Sequence, residues 1–444
     1  MMAGQLPSMV VLGASGLIGQ AVAMSLIREG FPIIPVARCF TPAQKAAFAG
    51  RAVEYPIMDL TAEALGALIS QHAAEIVVNC IGALQDSSQR GRVLDVHASF
   101  TSRLIQALTL AREPRLLIHV SIPGSGHDDQ TAFSVTKRQA ERVIADSAVS
   151  YVILRPGFVV APTAYGGSAL VRALAALPIE LPERESRRPF ATTCVTDIAG
   201  TIAGVGRQWR LGERQWNAVW EVMDREAPPV GAVIAAFRTH LGGPMRRLRL
   251  APWMVSVGAR LGDLVSRLGW SPPVRTTALA EMRQGVAGNP DAWIAATGME
   301  PVPLAGILAR RTATVQEKWF ARLYLVKALV IGSLALFWLA SGLIALTASF
   351  DAAVSILARH GFARLSAELM TVVSSVADIL VGMAISWRKS CRAGLMAGIA
   401  LSLFYMVGAA AIAPSLWFEP LGALVKTGPA IVLMLVALAI LDER

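Results

Sequence analysis

The stretch Met9-Val-Val-Leu-Gly13-Ala-Ser15-Gly16-Leu17-Ile18-Gly19 decides how the first half of the chain is read. Its four leading apolar residues predict a short buried strand. Three glycines then open a run in which Leu17, Ile18, Ala21, Val22 and Leu26 recur with helical spacing over 17–29. Glycine at a strand-to-helix turn lets the chain close tightly. It also lets backbone amides at the positive end of the helix approach a pyrophosphate. Such a turn alone is a weak signal; its position after the first strand of a repeating pattern makes it a strong one.

The repeat is visible downstream. Strands are predicted at 32–37, 52–58, 75–80, 115–120 and 150–154, with helices at 62–72, 92–112 and 132–147. Alternation of this kind predicts an α/β fold, a doubly wound parallel sheet of the Rossmann type. Pro32 and Pro35 interrupt the second strand, which is expected to be bent or shortened. Arg38 follows that strand, where an adenosine ribose is expected. An acidic residue there would bind the 2′-hydroxyl, whereas an arginine suits a 2′-phosphate, so NADP(H) is expected over NAD(H).

With these residues in place, the chain resembles the extended and atypical short-chain dehydrogenase/reductase (SDR) superfamily. The resemblance rests on the glycine turn, Asp59-Leu60, Asn79-Cys80-Ile81-Gly82, Ser121, Lys137 and Arg155-Pro156-Gly157, with Val195-Thr-Asp197-Ile-Ala199 as a later segment. It implies that Gly13, Ser15, Gly16, Leu17, Ile18 and Gly19 hold the pyrophosphate and that Asp59 and Leu60 border adenine. Cys80, Ile81 and Gly82 would border the nicotinamide ribose, Lys137 would bind ribose hydroxyls, and Pro156 and Gly157 would also belong to the cofactor site. Ser121 and Lys137 fall at catalytic positions of that family. The family's tyrosine does not: the segment reads Phe133-Ser-Val-Thr-Lys137, and phenylalanine has no proton to give. Losing a general acid typically forfeits about 10²–10⁴ in rate. Tyr165 or His127 could supply a proton from elsewhere, and His97 stands where the family often has asparagine. The tyrosine is also absent from the branch resembling the SDR-like accessory subunit of mitochondrial respiratory complex I, whose members hold a dinucleotide structurally or have uncertain chemistry.

The second half has a different composition. A mean hydropathy of +0.52 with 16% charged residues is unusual for a soluble chain of 444 residues, and the apolar excess lies in the last 120 or so. Runs at 323–346, 365–387, 393–413 and 424–441 predict about four transmembrane helices in an all-α bundle. The net charge of +10 is dispersed, without a basic helix of interleaved aromatics, so nucleic acid is not an expected partner. Arg310, Arg311, Lys318, Arg322, Arg388, Lys389 and Arg392 flank the apolar runs and suit an anionic inner leaflet. This places both termini on the cytoplasmic side of a cytoplasmic (inner) membrane, with an outer loop near 347–364. The start of the sequence has no basic region and runs straight into a strand, so a secretory signal is not expected. Four scattered cysteines and six isolated histidines show no metal-ligand spacing.

Trp338-Leu-Ala-Ser-Gly342, Ala377-Asp378-Ile-Leu-Val-Gly382 and Pro414-Ser-Leu-Trp417 with Glu419-Pro420 resemble the DoxX-like membrane family. The expected organisation is 1–205 dinucleotide-binding domain, 206–320 smaller substrate lobe with an amphipathic connector, and 321–444 bundle. The connector, 303–322, would lie on the membrane surface or serve as a plain linker. Asp378 falls near the middle of the second run, where a carboxylate is costly, with Lys327 or Lys426 as expected partners. It would serve proton, quinone or substrate handling, or a structural hydrogen bond between helices. Two readings follow for the whole. One is an oxidoreductase acting on a hydrophobic, quinone-like or lipid-like substrate from the bilayer. The other is an inactive cofactor-binding accessory or assembly factor for a membrane redox complex.

Overall fold

The structure, a computed structural model, describes residues 6–86, 91–111, 113–124, 129–412, 414–418 and 424–441. The chain divides into two compact units. The first comprises Met1–Asp263 and Pro272–Ala321, and the second Leu264–Ser271 and Arg322–Arg444.

The first unit is built on a seven-stranded parallel sheet. Its strands are β1 (Met9–Leu12), β2 (Ile33–Ala37), β3 (Val53–Glu54), β4 (Ile76–Asn79), β5 (Leu116–Val120), β6 (Ser150–Pro156) and β7 (Asn217–Val222). They lie in the order β7-β6-β5-β4-β1-β2-β3. The chain steps outward from β1 to β3 and returns to β4 on the other side of β1. That reversal leaves a crevice at the carboxyl ends of β1 and β4, the place where open α/β sheets bind ligands. Leu12 pairs with both Val36 and Asn79, so the segments leaving β1, β2 and β4 emerge side by side.

Both faces of the sheet are covered, which is why its strands read as nearly continuous apolar runs. Val11, Val78, Ile118 and Val152 pack under helices Leu17–Arg28 and Val195–Arg210, with Leu26, Ile202 and Trp209. Val10, Val77, Leu117 and Ile153 face Leu65, Leu104 and Ile144 from the helices on the opposite side.

Pro35 sits inside β2 opposite Val11. Val36 O accepts from Gly13 and Ala14, so the missing donor of Pro35 points the other way, toward β3, which pairs only from Val36 onward. The expected strand 52–58 is accordingly just two residues, followed by a 3₁₀ turn at Ile57–Asp59. The seventh strand, Asn217–Val222, was not anticipated, because a short edge strand among turn clusters leaves little periodic signal. A smaller lobe packs helices Gly166–Ala176, Val230–Leu241 and Leu304–Ala309 around Leu174, Val233, Phe237 and Ile307.

The second unit is helical. Three helices, Val315–Leu346 (whose first seven residues belong to the first unit), Arg364–Ser386 and Cys391–Ile412, are long and apolar enough to cross a membrane. The run expected at 424–441 forms a helix of 14 residues, Thr427–Ile440, which spans only roughly 21 Å at about 1.5 Å per residue. Helix Phe350–Arg359 occupies the segment expected as an outer loop. Small residues let the helices approach closely. A Cβ on Gly342 would stand 2.4 Å from Ser375 O, and one on Gly382 would stand 2.8 Å from the Leu339 nitrogen.

Candidate dinucleotide site

Gly13 leaves β1 at φ +78°, a left-handed conformation that disfavours any side chain, and its N–H donates to Val36 O at 2.9 Å. Gly16 then donates to Gly13 O and caps helix Leu17–Arg28 without a side chain, leaving the first helical amides uncapped by one. Gly19 completes the turn, since a Cβ there would come within 2.4 Å of Gly13 O. Ser15, Leu17 and Ile18 lie on the rim of this cradle, half-buried. Its brace was not foreseen in the sequence. Buried Gln44 donates to Ser15 O at 3.1 Å and to Gln20 Oε1 at 2.9 Å. The available signal was Thr41-x-x-Gln44, a capping box that fixes Gln44 at its helix start. Uncapped amides behind a cradle without Cβ atoms fit a dinucleotide pyrophosphate.

Around the cradle, Arg38 is exposed just beyond β2. Asp59 is exposed in its 3₁₀ turn beside half-buried Leu60, and Arg103 donates to Met58 O at 2.7 Å. Asn79 sets the course of Cys80-Ile81-Gly82: its Oδ1 accepts from the Ile81 amide and its Nδ2 donates to His119 Nδ1, both at 3.1 Å. That places the His119 proton on Nε2. Burial and the Lys137 charge hold this ring neutral, its pKa well below the usual histidine value.

Lys137 is the chemical centre of the crevice. The residue is 5% exposed, and its ammonium donates to Val120 O at 2.9 Å and to Ile81 O at 3.4 Å, which leaves one N–H without an acceptor among the described residues. Burial lowers its pKa to about 8, against the opposing influence of Cys80 and Glu141. A Cβ on Gly82 would stand 3.5 Å from Lys137 Nζ and 3.8 Å from His97 Nε2, which brings these three together. Burial also pushes the Cys80 thiol up to about 12.

His97 lies in a π-helical stretch, Asp95–Ser99, ahead of helix Phe100–Thr109 where one regular helix was expected. Its Nε2 accepts from the Ala83 amide at 3.1 Å and its Nδ1 donates to Thr136 Oγ1 at 2.9 Å. Thr136 passes its own proton to Ala132 O at 2.7 Å. Both nitrogens are engaged within the protein, and burial and Lys137 lower its pKa to about 2, so His97 is a neutral brace for the 80–83 segment. The Phe133 ring meets it edge-on, 5.6 Å between centroids.

Ser121 Oγ lies buried with no hydrogen bond of ordinary geometry among the described residues, although its hydroxyl helps hold the nearby Glu141 carboxyl below the usual range. Burial pushes that carboxyl up; Arg155 (2.6 and 2.9 Å) and Arg138 outweigh it. Pro156 ends β6, and the Gly157 amide donates to Thr193 Oγ1 at 2.8 Å, so this turn ties β6 to strand Thr192–Cys194. Asp197 is a brace too: its Oδ2 accepts from the Val302 amide at 3.1 Å, and burial raises its pKa to about 6. Tyr165 is half-buried at the start of helix Gly166–Ala176, and His127 lies outside the described residues.

In the second unit, Asp378 is buried. Neither expected lysine is its partner. Tyr405 donates to Oδ1 at 2.9 Å and Ser341 to Oδ2 at 3.3 Å, while Lys327 donates to Leu441 O at 2.9 Å and Lys426 is exposed. The reason is geometric: Asp378 faces the bundle interior beside Gly342.

A family model described as NAD(P)H-binding matches residues 13–175, and one described as the DoxX-like family matches residues 335–435. The chain joins an NAD(P)H-binding domain to a DoxX-like domain. Solved structures similar to it include the human epimerase family protein SDR39U1 with NADPH, 17% identical over 68% of this chain and 98% of that one, TM-score 0.50. UDP-glucuronic acid 4-epimerase from Bacillus cereus is 14% identical over 71% and 99%, and UDP-glucose 4-epimerase from Thermotoga maritima 15% over 70% and 98%, each with TM-score 0.50. At these identities the likeness is one of fold. The comparison with curated proteins returned no match. The NAD(P)H-binding match covers the glycine cradle and Lys137, and the DoxX-like match covers Asp378.

Proposed function

We propose that this chain is a membrane-anchored, NADP(H)-preferring oxidoreductase that serves a hydrophobic, quinone-like substrate at the surface of a cytoplasmic membrane. The observation that supports it best is Lys137, a buried ammonium at the crevice with one N–H uncommitted among the described residues, in a chain that also carries apolar helices of membrane-crossing length. Bound there, the nicotinamide would supply hydride. The protein would supply the rest. Amides at Gly13–Gly19 hold the diphosphate, Arg38 meets the 2′-phosphate, and Asp59 and Leu60 flank adenine. Ser121 polarises a carbonyl. Lys137 binds ribose hydroxyls and is the group there whose charge changes near neutral pH. In this reading the multi-pass bundle holds both chain ends on the cytoplasmic side.

Phe133 supports a second reading, an accessory protein of a membrane redox complex that binds the cofactor without turning it over. Purified full-length chain in detergent separates the two. Steady oxidation of NADPH by a series of quinones is expected. Tight cofactor binding without turnover, unchanged in Phe133→Tyr, would leave only the accessory reading.

A further inference from the structure

Helix Pro252–Ser266 has two apolar faces where one would suffice. Val255, Ala259 and Gly262 are buried, and the first two pack with Leu279. On the opposite side, Trp253, Met254, Val257, Leu261, Leu264 and Val265 are all exposed, Trp253 by 66% and Leu261 by 55%. At 100° per residue these six fall within one stripe about 120° wide. A soluble helix with a stripe of this kind is an association surface.

Charge and chain continuity identify what covers it. Arg260 borders the stripe, Arg246, Arg247 and Arg249 precede the helix, and Arg267 follows it, all exposed. Glu180 stands within 4 Å of Arg247 and Arg249, and Asp263 near the helix end pairs with Arg275. The local balance is therefore basic, as anionic headgroups require. The last residues of the helix belong to the second unit. Just beyond them, Trp270 Nε1 donates to Ser386 O at 2.7 Å and Leu268 O accepts from the Arg388 amide at 3.0 Å. Ser386 closes the apolar helix Arg364–Ser386, and the basic cluster Arg388, Lys389 and Arg392 follows. The end of Pro252–Ser266 is thus fastened where a membrane-crossing helix stops.

We infer that Pro252–Ser266 is an interfacial helix, its Trp253–Leu264 stripe sunk among the headgroups and upper acyl chains of an anionic leaflet. The inference rests on the membrane reading of the second unit. It assigns surface docking to this helix and not to the segment 303–322, whose Leu304, Ile307 and Leu308 are already spent in the lobe core.

The test uses full-length chain in nanodiscs loaded with single copies, in a Cys39→Ser background. An environment-sensitive dye is placed at Leu261→Cys, at Leu211→Cys (exposed on the first unit) or at Phe404→Cys (exposed on helix Cys391–Ile412). A sample without added cysteine corrects for labelling of the remaining thiols. Brominated phosphatidylglycerol is expected to quench the dye at 261 and at 404 severalfold more than at 211. Replacing it with brominated phosphatidylcholine, which keeps the quencher and removes the negative charge, should reduce quenching at 261 alone. Quenching at 404 with none at 261 would overturn the interfacial helix and leave the membrane reading standing, whereas no quenching at either would overturn the membrane reading itself. A blue shift at 261 that needs two copies per disc, without quenching, would assign the stripe to self-association instead.

Discussion

Lys137 and Asp378 are the two ionisable groups that the sequence singles out most sharply, one in each unit, and the structure treats them alike in one respect and oppositely in another. Both are buried, and neither makes an ion pair among the described residues. Lys137 gives its protons to two backbone carbonyls at the ends of strands, whereas Asp378 receives protons from two side-chain hydroxyls on neighbouring helices. An unsatisfied buried charge costs several kcal/mol, so each must be met by dipoles where no counter-ion is at hand. The difference lies in what is left over. Lys137 keeps one N–H without an acceptor among the described residues, while Asp378 has each oxygen engaged. The first arrangement is suited to acting on something brought to it, and the second to holding helices together.

Substitution at Lys137 is expected to have the largest effect. Lys137→Met keeps the length and removes the donors, and NADPH oxidation should fall by about 10²–10⁴, the usual cost of a missing proton donor. Circular dichroism should show the fold retained. A fall below about tenfold would mean that Lys137 is a structural plug. The pH profile sharpens the point. Oxidation that needs the ammonium should hold below pH 8 and decline as pH rises through about 8. Stability runs the other way. Between about 8 and the ordinary value of 10.5 the unfolded chain binds the proton that the folded chain has released, so the folded state gains stability as pH rises across that window. Lys137→Met should abolish both trends.

Arg38 is a third kind of charge, exposed at the mouth of β2. Its proposed bond to a 2′-phosphate is worth roughly 1.5–3 kcal/mol, so Arg38→Ala should weaken NADPH about ten- to a hundredfold and leave NADH nearly unchanged. Calorimetric titration with both nucleotides reads this directly. Equal losses for the two would place Arg38 away from the ribose.

What the sequence revealed divides along the same line as these charges. The glycine turn, the parallel sheet and the apolar helices were legible because each is written in local periodicity: a strand, a turn without Cβ atoms, then helical spacing. Partners were not. Gln44 reaches the cradle from 24 residues beyond Gln20, and its capping box with Thr41 fixes a helix start without announcing that long-range contact. The π-helical stretch that brings His97 to the Ala83 amide is one residue of extra winding inside an ordinary apolar pattern. The outward stripe of Pro252–Ser266 was hidden because a helix apolar on two sides looks like a buried one until its neighbours are known. Lysines were the expected partners of Asp378 because charge suggests charge, but Tyr405 and Ser341 share its depth in the bundle and Lys426 does not.

The smallest effect is expected at Asp378, and its size is what distinguishes holding from handling protons. Hydrogen bonds between membrane helices average about 0.6 kcal/mol and reach about 1.7. Asp378→Ala should therefore lower the detergent-solubilised chain's stability by about that much, and Tyr405→Phe by a similar amount, because the 2.9 Å bond joins the two. A double-mutant cycle should show the losses to be non-additive. Ser341→Ala should cost less, its bond being 3.3 Å long. Asp378→Asn separates the roles, since an amide oxygen still accepts from Tyr405 but no longer takes up a proton. If Asp378 only holds helices, Asn restores stability and leaves quinone-dependent oxidation of NADPH intact. If oxidation falls tenfold or more while stability is kept, the contrast drawn with Lys137 fails, and both buried charges belong to the chemistry.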